Sequence, residues 1–231
     1  MRGLLILIVV LAIALVVGDR VAVVLAQNEI ARAIAAEYEL PGPPSVTIGG
    51  FPFLTQAVEG SYHTIDVGVG DWTGQDTTVN DLAVRLSDVA APLADVIDKR
   101  TSSLVATTAT ATAVVPYDTV ENFAPSGVES IADSPDGLRV TGTFSIQGIP
   151  VPATVFVTVT PTEDGIEVTP ISAQPAIGGP TIPLAMLRQT LTFVVPLQQL
   201  PLGARLTEIQ PGADGLHVTA VANEVSLSDL P

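Results

Sequence analysis

Cysteine is absent from the 231 residues of the sequence. A disulfide framework, a zinc–thiolate site and a cysteine nucleophile are therefore excluded. A bacterial lipoprotein anchor is excluded for the same reason, because its lipid is attached to a cysteine. Any attachment to a membrane must come from apolar stretches of the polypeptide itself.

Basic residues are scarce. Nine Lys and Arg stand against 24 Asp and Glu, which gives a formal net charge of −15. Proteins that bind DNA or RNA through the phosphates need a basic face, and these scattered bases do not supply one, so no nucleic-acid partner is expected. The same deficit argues against electrostatic adsorption to anionic membranes. Any contact with lipid must be mainly apolar.

Aromatic residues are also few. They make up 4% of the chain, whereas hydrophobic residues as a whole make up 47%. The core must consist mostly of Ala, Val, Ile and Leu, and it depends less on the large rings that anchor many protein cores.

Residues suited to catalysis are rare. The chain has two histidines, and no G-x-S-x-G, H-E-x-x-H or Walker motif occurs. His63 is in phase with the apolar residues Ile65 and Val67, which predicts a structural histidine at the end of an apolar face. His217 falls on the polar face of its strand. We therefore predict no catalytic residue, no metal site and no cofactor, and a protein that is not an enzyme.

The N-terminus has the pattern of an export segment. Arg2 precedes an uncharged run from Gly3 to Gly18. As a helix this run would span about 24 Å, slightly less than a hydrocarbon core of ~30 Å. Such a pattern is typical of a secretory signal or a signal anchor. Ala26 fits the small-residue rule for cleavage, but Asp19 and Arg20 lengthen the spacer and favour an uncleaved anchor.

These features divide the chain at residue 26. Residues 1–26 are predicted to be a signal peptide or N-terminal membrane anchor, and residues 27–231 a single exported α+β domain. Because the positive N-terminus stays inside, the domain is expected on the periplasmic or extracytoplasmic side, tethered to the plasma membrane.

The pattern after residue 26 predicts one helix followed mainly by strands. Residues 27–40 have Ile30 and Ile34 at helical spacing, and Pro-Gly-Pro-Pro at 41–44 ends that helix. The following stretches alternate apolar and polar residues, which is typical of sheets with one apolar face. Three Asp-Gly pairs predict hairpin turns: Asp136-Gly137, Asp164-Gly165 and Asp214-Gly215.

Two later segments break the alternation. Residues 116–124 predict a short helix with Asp118 as its cap. Residues 182–195 predict a second amphipathic helix, whose apolar stripe is Leu184, Leu187, Leu191 and Val194. The predicted architecture is a long antiparallel sheet with two or three helices on its apolar face.

The sequence Gly-Gly-Phe-Pro-Phe-Leu at 49–54 is unusual in a chain so poor in aromatics. The glycine pair allows a sharp bend, and Pro52 removes a donor, so regular strand pairing should end here. Phe51, Phe53 and Leu54 then cannot all lie on one side of a flat sheet. They either pin the bend onto the N-terminal helix, or line an apolar cavity or touch lipid.

The stretch "GGFPFLTQAVEGSYHTIDV" resembles the G-F-P-F-L-T-Q…G-x-Y motif of the actinobacterial lipomannan elongation factor family. The resemblance extends through the export segment, the following helix and residues 200–227. It implies phospholipid binding in the cell envelope and a role near lipoglycan synthesis. It also implies a fold similar to tubular lipid-binding domains, in which a curved sheet wraps around a helix and an apolar groove.

Three functions remain open at this stage. The first is a binding protein that holds phospholipid acyl chains in an aliphatic groove. The second is an anchored scaffold that stabilises an envelope glycosyltransferase without lipid cargo. The third is an enzyme acting on lipid or glycan, against which the missing catalytic residues argue. For the first, the candidate lipid contacts are Phe51, Phe53, Leu54, Leu184, Leu187 and Leu191.

Overall fold

The computed structural model describes residues 2–73, 78–92, 104–146, 149–162, 165–175, 183–196 and 203–226. The helices are α1 (Arg2–Glu37), α2 (Phe53–Glu59), α3 (Tyr117–Glu121) and α4 (Leu184–Leu191). The strands are β1 (Ser45–Ile48), β2 (Ser61–Thr73), β3 (Thr78–Ala90), β4 (Val105–Val115), β5 (Val128–Ser134), β6 (Gly137–Ile146), β7 (Ile149–Pro161), β8 (Gly165–Pro175), β9 (Phe193–Pro196), β10 (Arg205–Gly212) and β11 (Gly215–Ser226).

The strands form two sheets, and the predicted α+β class with antiparallel pairing is confirmed. One sheet has six strands in the order β1-β2-β3-β4-β11-β10, and the other has five in the order β5-β6-β7-β8-β9. Several residues inside strands of the six-stranded sheet have positive φ, which marks local irregularities that bend a strand and curve the sheet: Gly70, Asp81, Asp88 and Glu224.

The chain divides into two compact units. Unit 1 comprises Met1–Gly70, Ala83–Thr110 and Ala222–Pro231, and unit 2 comprises Asp71–Leu82 and Ala111–Val221. Strands β2, β3, β4 and β11 contribute residues to both units. The expectation of a single domain over 27–231 stays a prediction.

Helix α1 belongs to unit 1 and includes the apolar N-terminal run. It is long and apolar enough to cross a membrane, judged by length and composition. The helix predicted at 27–40 is its C-terminal part, and no break occurs at residue 26. Val23 packs with Ile48 and Phe53 in a small apolar cluster. The second half of α1 is therefore part of the folded unit.

Unit 2 has a closed aliphatic core, in which residues of its five-stranded sheet and of helices α3 and α4 pack with Val115 of β4 and Leu216 of β11. Val155 and Val157 on the central strand β7, and Ile166 on its neighbour β8, are almost completely buried. Phe144 is the one ring among the fully buried side chains of this core that the structure describes. This agrees with a core made mostly of aliphatic residues.

The predicted Asp-Gly hairpins are largely confirmed. Strand β5 turns into β6 before Gly137, and β10 turns into β11 before Gly215, in both cases with antiparallel pairing. Strands β7 and β8 are also antiparallel, with Pro161 opposite Ile166. Asp164 lies outside the described residues.

Two local predictions in unit 2 were wrong. Asp118 does not cap α3: the N-cap is Pro116, and Asp118 lies in the first turn, where its carboxylate accepts the Thr119 N–H at 2.8 Å. The helix predicted over 182–195 ends at Leu191, and Phe193–Pro196 forms strand β9 paired with β8. β-Branched and aromatic residues favour a strand when a partner edge is available, and this overrides the helical spacing.

Candidate functional site

The Gly-Gly bend ends strand pairing, as its sequence predicts. Strand β1 stops at Ile48, and the Gly49 N–H still donates to the Thr64 carbonyl at 2.9 Å. Gly50 has φ +92°, and a Cβ there would lie 2.7 Å from the Gln56 amide nitrogen. Glycine is therefore required at position 50 both by backbone conformation and by the closeness of this side chain.

Gln56 stabilises the bend through hydrogen bonds on its buried side. Its side chain is 4% exposed, and its Nε2 donates to the Gly49 carbonyl at 3.2 Å. Its Oε1 accepts the His63 backbone N–H at 3.1 Å and lies 3.0 Å from the His63 Nδ1. Because the oxygen is only an acceptor, Nδ1 carries the proton in this contact. His63 is itself exposed, and these two contacts give it the structural partner that the sequence analysis expected; its lack of a catalytic role stays a prediction.

The N-terminus of α2 is capped by a residue from α1. Pro52 is the N-cap and offers no side-chain hydrogen bond. Instead, the Asp19 carboxylate accepts the Leu54 N–H at 2.8 Å and pairs through its other oxygen with Arg20. The Asp19 side chain is 3% exposed, so this contact joins α1 and α2 in a dry environment. A carboxylate at a helix start is favoured by the unsatisfied N–H groups there.

The aromatic pair of the motif divides between inside and outside. Phe53 is 7% exposed, packs against Val23 and Ile48, and has its ring 6.2 Å from that of Tyr62. Phe51 is 61% exposed. The two phenylalanines therefore have different roles, although one proline separates them.

Helix α2 places apolar side chains on its solvent side. Leu54 and Val58, one turn apart, are 42% and 80% exposed, and Phe51, which lies just before the helix and its N-cap Pro52, is 61% exposed. We call these three residues the α2 stripe. A soluble helix of this kind normally turns charged or polar residues outward, so an outward apolar stripe indicates an interaction surface.

The α2 stripe adjoins the apolar surface of α1. The Arg20 guanidinium lies over the Phe51 ring at 5.0 Å, which is a cation–π contact. The face of α1 that includes Arg20 is an open apolar surface formed by Val16, Val17, Arg20, Val21, Val24 and Leu25. This surface belongs to one helix, and it is continuous in sequence with the apolar run.

An aliphatic surface also leads away from the bend along β1 and β2. Val46 is paired with Val67 and Ile48 with Ile65, and alternate residues of a strand lie on the same face. Ile48 is buried under the bend, whereas the residues that follow on this face are only partly buried. We call these partly buried residues the aliphatic strip: Val46, Ile65, Val67 and Val69.

The six lipid contacts predicted from the sequence fall in both units. Phe51 and Leu54 are exposed and Phe53 is buried, all in unit 1. The remaining three belong to α4 in unit 2: Leu184 is partly buried, and Leu187 and Leu191 are almost completely buried in the core. Their contact with lipid stays a prediction. The sequence did not single out Asp19 as an α2 cap or the buried role of Gln56, although Gln56 is part of the motif.

No group of titratable side chains in the described ranges resembles a catalytic or metal centre. No cluster of three or more His, Asp and Glu able to hold a metal occurs among them. His217 is exposed, as predicted, and its Nε2 lies 2.8 Å from Asp214. This hydrogen bond lowers the pKa of the Asp214 carboxyl. The pair lies at a hairpin tip of unit 2.

Comparison with known proteins yields one finding. The sequence model of the LmeA-like phospholipid-binding family matches residues 17–221, which is most of the chain. No curated protein and no solved structure matches significantly. The match begins before Asp19, so the shared sequence includes the part of α1 that packs against the bend.

Proposed function

The chain belongs to the LmeA-like phospholipid-binding family, and from this premise we propose that it is an exported, membrane-anchored protein that holds phospholipid acyl chains on the aliphatic strip of unit 1. The observation that carries the proposal is the incomplete burial of that strip. The core of unit 2 is closed, whereas the strip residues remain partly exposed. Covering apolar surface contributes about 0.8 kcal/mol for each methylene group, so acyl chains can bind here without charged contacts.

Retention of the N-terminal helix is part of the proposal. Cleavage after Ala26 would remove Asp19, which caps α2, and Val23, which packs with Phe53. These contacts support an uncleaved anchor. With its N-terminal Arg2 inside, the anchor places the folded units on the outer side of the membrane.

In the cell we propose a supporting role in lipoglycan synthesis in the envelope, such as lipomannan synthesis, with an envelope glycosyltransferase as a candidate partner. Phospholipid is the cargo or the sensed ligand, and no chemistry on it is proposed. The alternative is an anchored scaffold without lipid. The closed core of unit 2 is equally compatible with that role. The aliphatic strip favours the lipid-binding function, because a scaffold has no need for a partly covered apolar face.

Replacing Val67 and Val69 together by threonine tests the strip. The change keeps β-branched residues in β2 but places two hydroxyl groups where the proposal puts acyl chains. We expect the phospholipid that stays with the full-length protein after extraction in mild detergent to fall roughly tenfold, because two positions of the strip then offer less apolar surface to the acyl chains. Mass spectrometry of the extracted lipid, normalised to the amount of protein, measures this retention.

The matched control is replacement of Ile171 and Val194 by threonine. Both residues lie in the five-stranded sheet, and each is 41% exposed. This control removes comparable groups but should retain the wild-type amount of lipid, including the lipid that surrounds α1. Equal retention by the two variants, with both proteins folded, would contradict the assignment of the strip.

A further inference from the structure

We propose that the α2 stripe, Phe51, Leu54 and Val58, docks into the surface of the bilayer that holds α1, so that the aliphatic strip opens at the membrane. This inference rests on the proposed anchoring of α1 and extends the proposed lipid binding. It names the source of the lipid as the membrane to which the protein is attached. The occupant of the stripe is the lipid surface itself.

The depth of α1 in a membrane places the α2 stripe at the interface. A hydrocarbon core of ~30 Å takes about 20 helical residues, so a span that begins at Gly3 ends close to residue 22. Asp19 and Arg20 lie at this level, and they are the residues that contact Leu54 and Phe51. The stripe is therefore held beside α1 at the point where the helix leaves the hydrocarbon.

The exposed apolar surface of α1 continues through the same level. Val21, Val24 and Leu25 are more than half exposed, although Asp19 and Arg20 precede them. Asp19 does not interrupt this apolar surface, because its side chain is turned into the protein. The apolar stripe of α2 and the apolar face of α1 thus lie next to each other on one unit.

The charges of the chain favour apolar insertion over electrostatic adsorption. The large excess of acidic residues would repel an anionic bilayer. Next to the stripe, however, Arg20 has its side chain half exposed above Phe51. A long arginine side chain just inside the hydrocarbon boundary can extend to the membrane–water interface, and phenylalanine is among the apolar residues that interfacial helices bury there. Apolar side chains of such surfaces enter the headgroup and upper acyl region.

The strip begins at the inner side of α2. Phe53 and Ile48 belong to one apolar cluster, Ile65 packs against that cluster, and Val67 follows Ile65 outward on β2. An acyl chain that leaves the bilayer beside the stripe would meet Ile65 first. The bend thus forms a short apolar path from the membrane to the proposed binding surface.

The absence of cysteine makes a direct test possible, because a single introduced cysteine can be labelled specifically. Val58→Cys would carry a nitroxide in the full-length protein, reconstituted in vesicles of phosphatidylcholine and phosphatidylglycerol. Val10→Cys in α1 provides the bilayer reference, and Glu59→Cys provides the control on the polar flank of α2. Collisions of each label with oxygen, which partitions into lipid, and with a water-soluble nickel chelate are measured by electron paramagnetic resonance.

The expected result is that the Val58 label collides with nickel severalfold less often than the Glu59 label and is reached by oxygen, as at Val10. A Val58 label as accessible to nickel as Glu59 would overturn the inference. A label hidden from both reagents would overturn it as well, because it would indicate a protein partner or a second copy over the stripe. Lipid retention by the variant with Val67 and Val69 replaced is measured separately. If Val58 lacks membrane contact but the variant with Val67 and Val69 replaced loses lipid as predicted, only this inference is contradicted, and the proposed function stands.

Discussion

Replacing Phe53 by alanine is expected to lower the free energy of unfolding by about 3–5 kcal/mol, the range for large-to-small changes of a buried aromatic side chain. Phe53 packs between Val23 of α1 and Ile48 of β1, and it contacts Tyr62. Its removal would leave a cavity at the place where helix and sheet of unit 1 meet. Urea unfolding followed by circular dichroism measures the change.

Phe51→Ala is the matched control, because it removes the same ring one proline away. Phe51 is largely exposed, so its replacement should change the free energy of unfolding by only about 0.5 kcal/mol or less. Similar destabilisation by the two variants would mean that both phenylalanines mainly stabilise the fold, and it would remove the distinction between the buried Phe53 and the exposed Phe51.

The second large effect is expected from removal of residues 18–26. A chain that starts at Gln27 should be about 3 kcal/mol less stable than a chain that starts at Gly18, because it lacks the Asp19 cap and the buried Val23 side chain. Both chains lack the apolar run before Gly18, so both can be compared in urea without detergent. Equal stability would show that α1 before Gln27 is only a leader, and it would contradict the proposed uncleaved anchor.

Much of the fold could be predicted because it depends on local patterns. Alternation along β2 and β7 identifies strands from the sequence alone, since a sheet with one covered face needs apolar residues at every second position. The turns before Gly137 and Gly215 follow from the preference of Asp-Gly for hairpins. The position of His63 followed from its phase with Ile65.

The site was harder to predict because its contacts are distant in sequence. Helix α2 has no capping residue of its own, since the cap is Asp19, 35 residues earlier. A rule for signal-peptide cleavage divides the chain at Ala26 and so separates Asp19 from the domain that it stabilises. Gln56 could have been found from its spacing: it lies three residues after Phe53 on the buried side of α2, where a polar residue needs partners.

The helix predicted over 182–195 shows a different limit of prediction from sequence. The spacing of Leu187 and Leu191 correctly predicted α4, but Phe193 and Val195 belong to β9. Periodicity cannot locate the boundary, because the pairing of β9 with β8 is a tertiary interaction. The same limit applies to Leu187 and Leu191 themselves, whose stripe was predicted but whose neighbours in the core were not.

Photolabelling of the full-length protein in vesicles would test the central claim most directly. The vesicles would contain a phospholipid with a diazirine near the end of one acyl chain, and mass spectrometry would map the labelled residues. Binding of acyl chains on the aliphatic strip predicts labels on β1 and β2, at Val46, Val67 or Val69, in addition to those on α1. Labels confined to α1, on a protein shown to be folded, would contradict the account and favour the anchored scaffold.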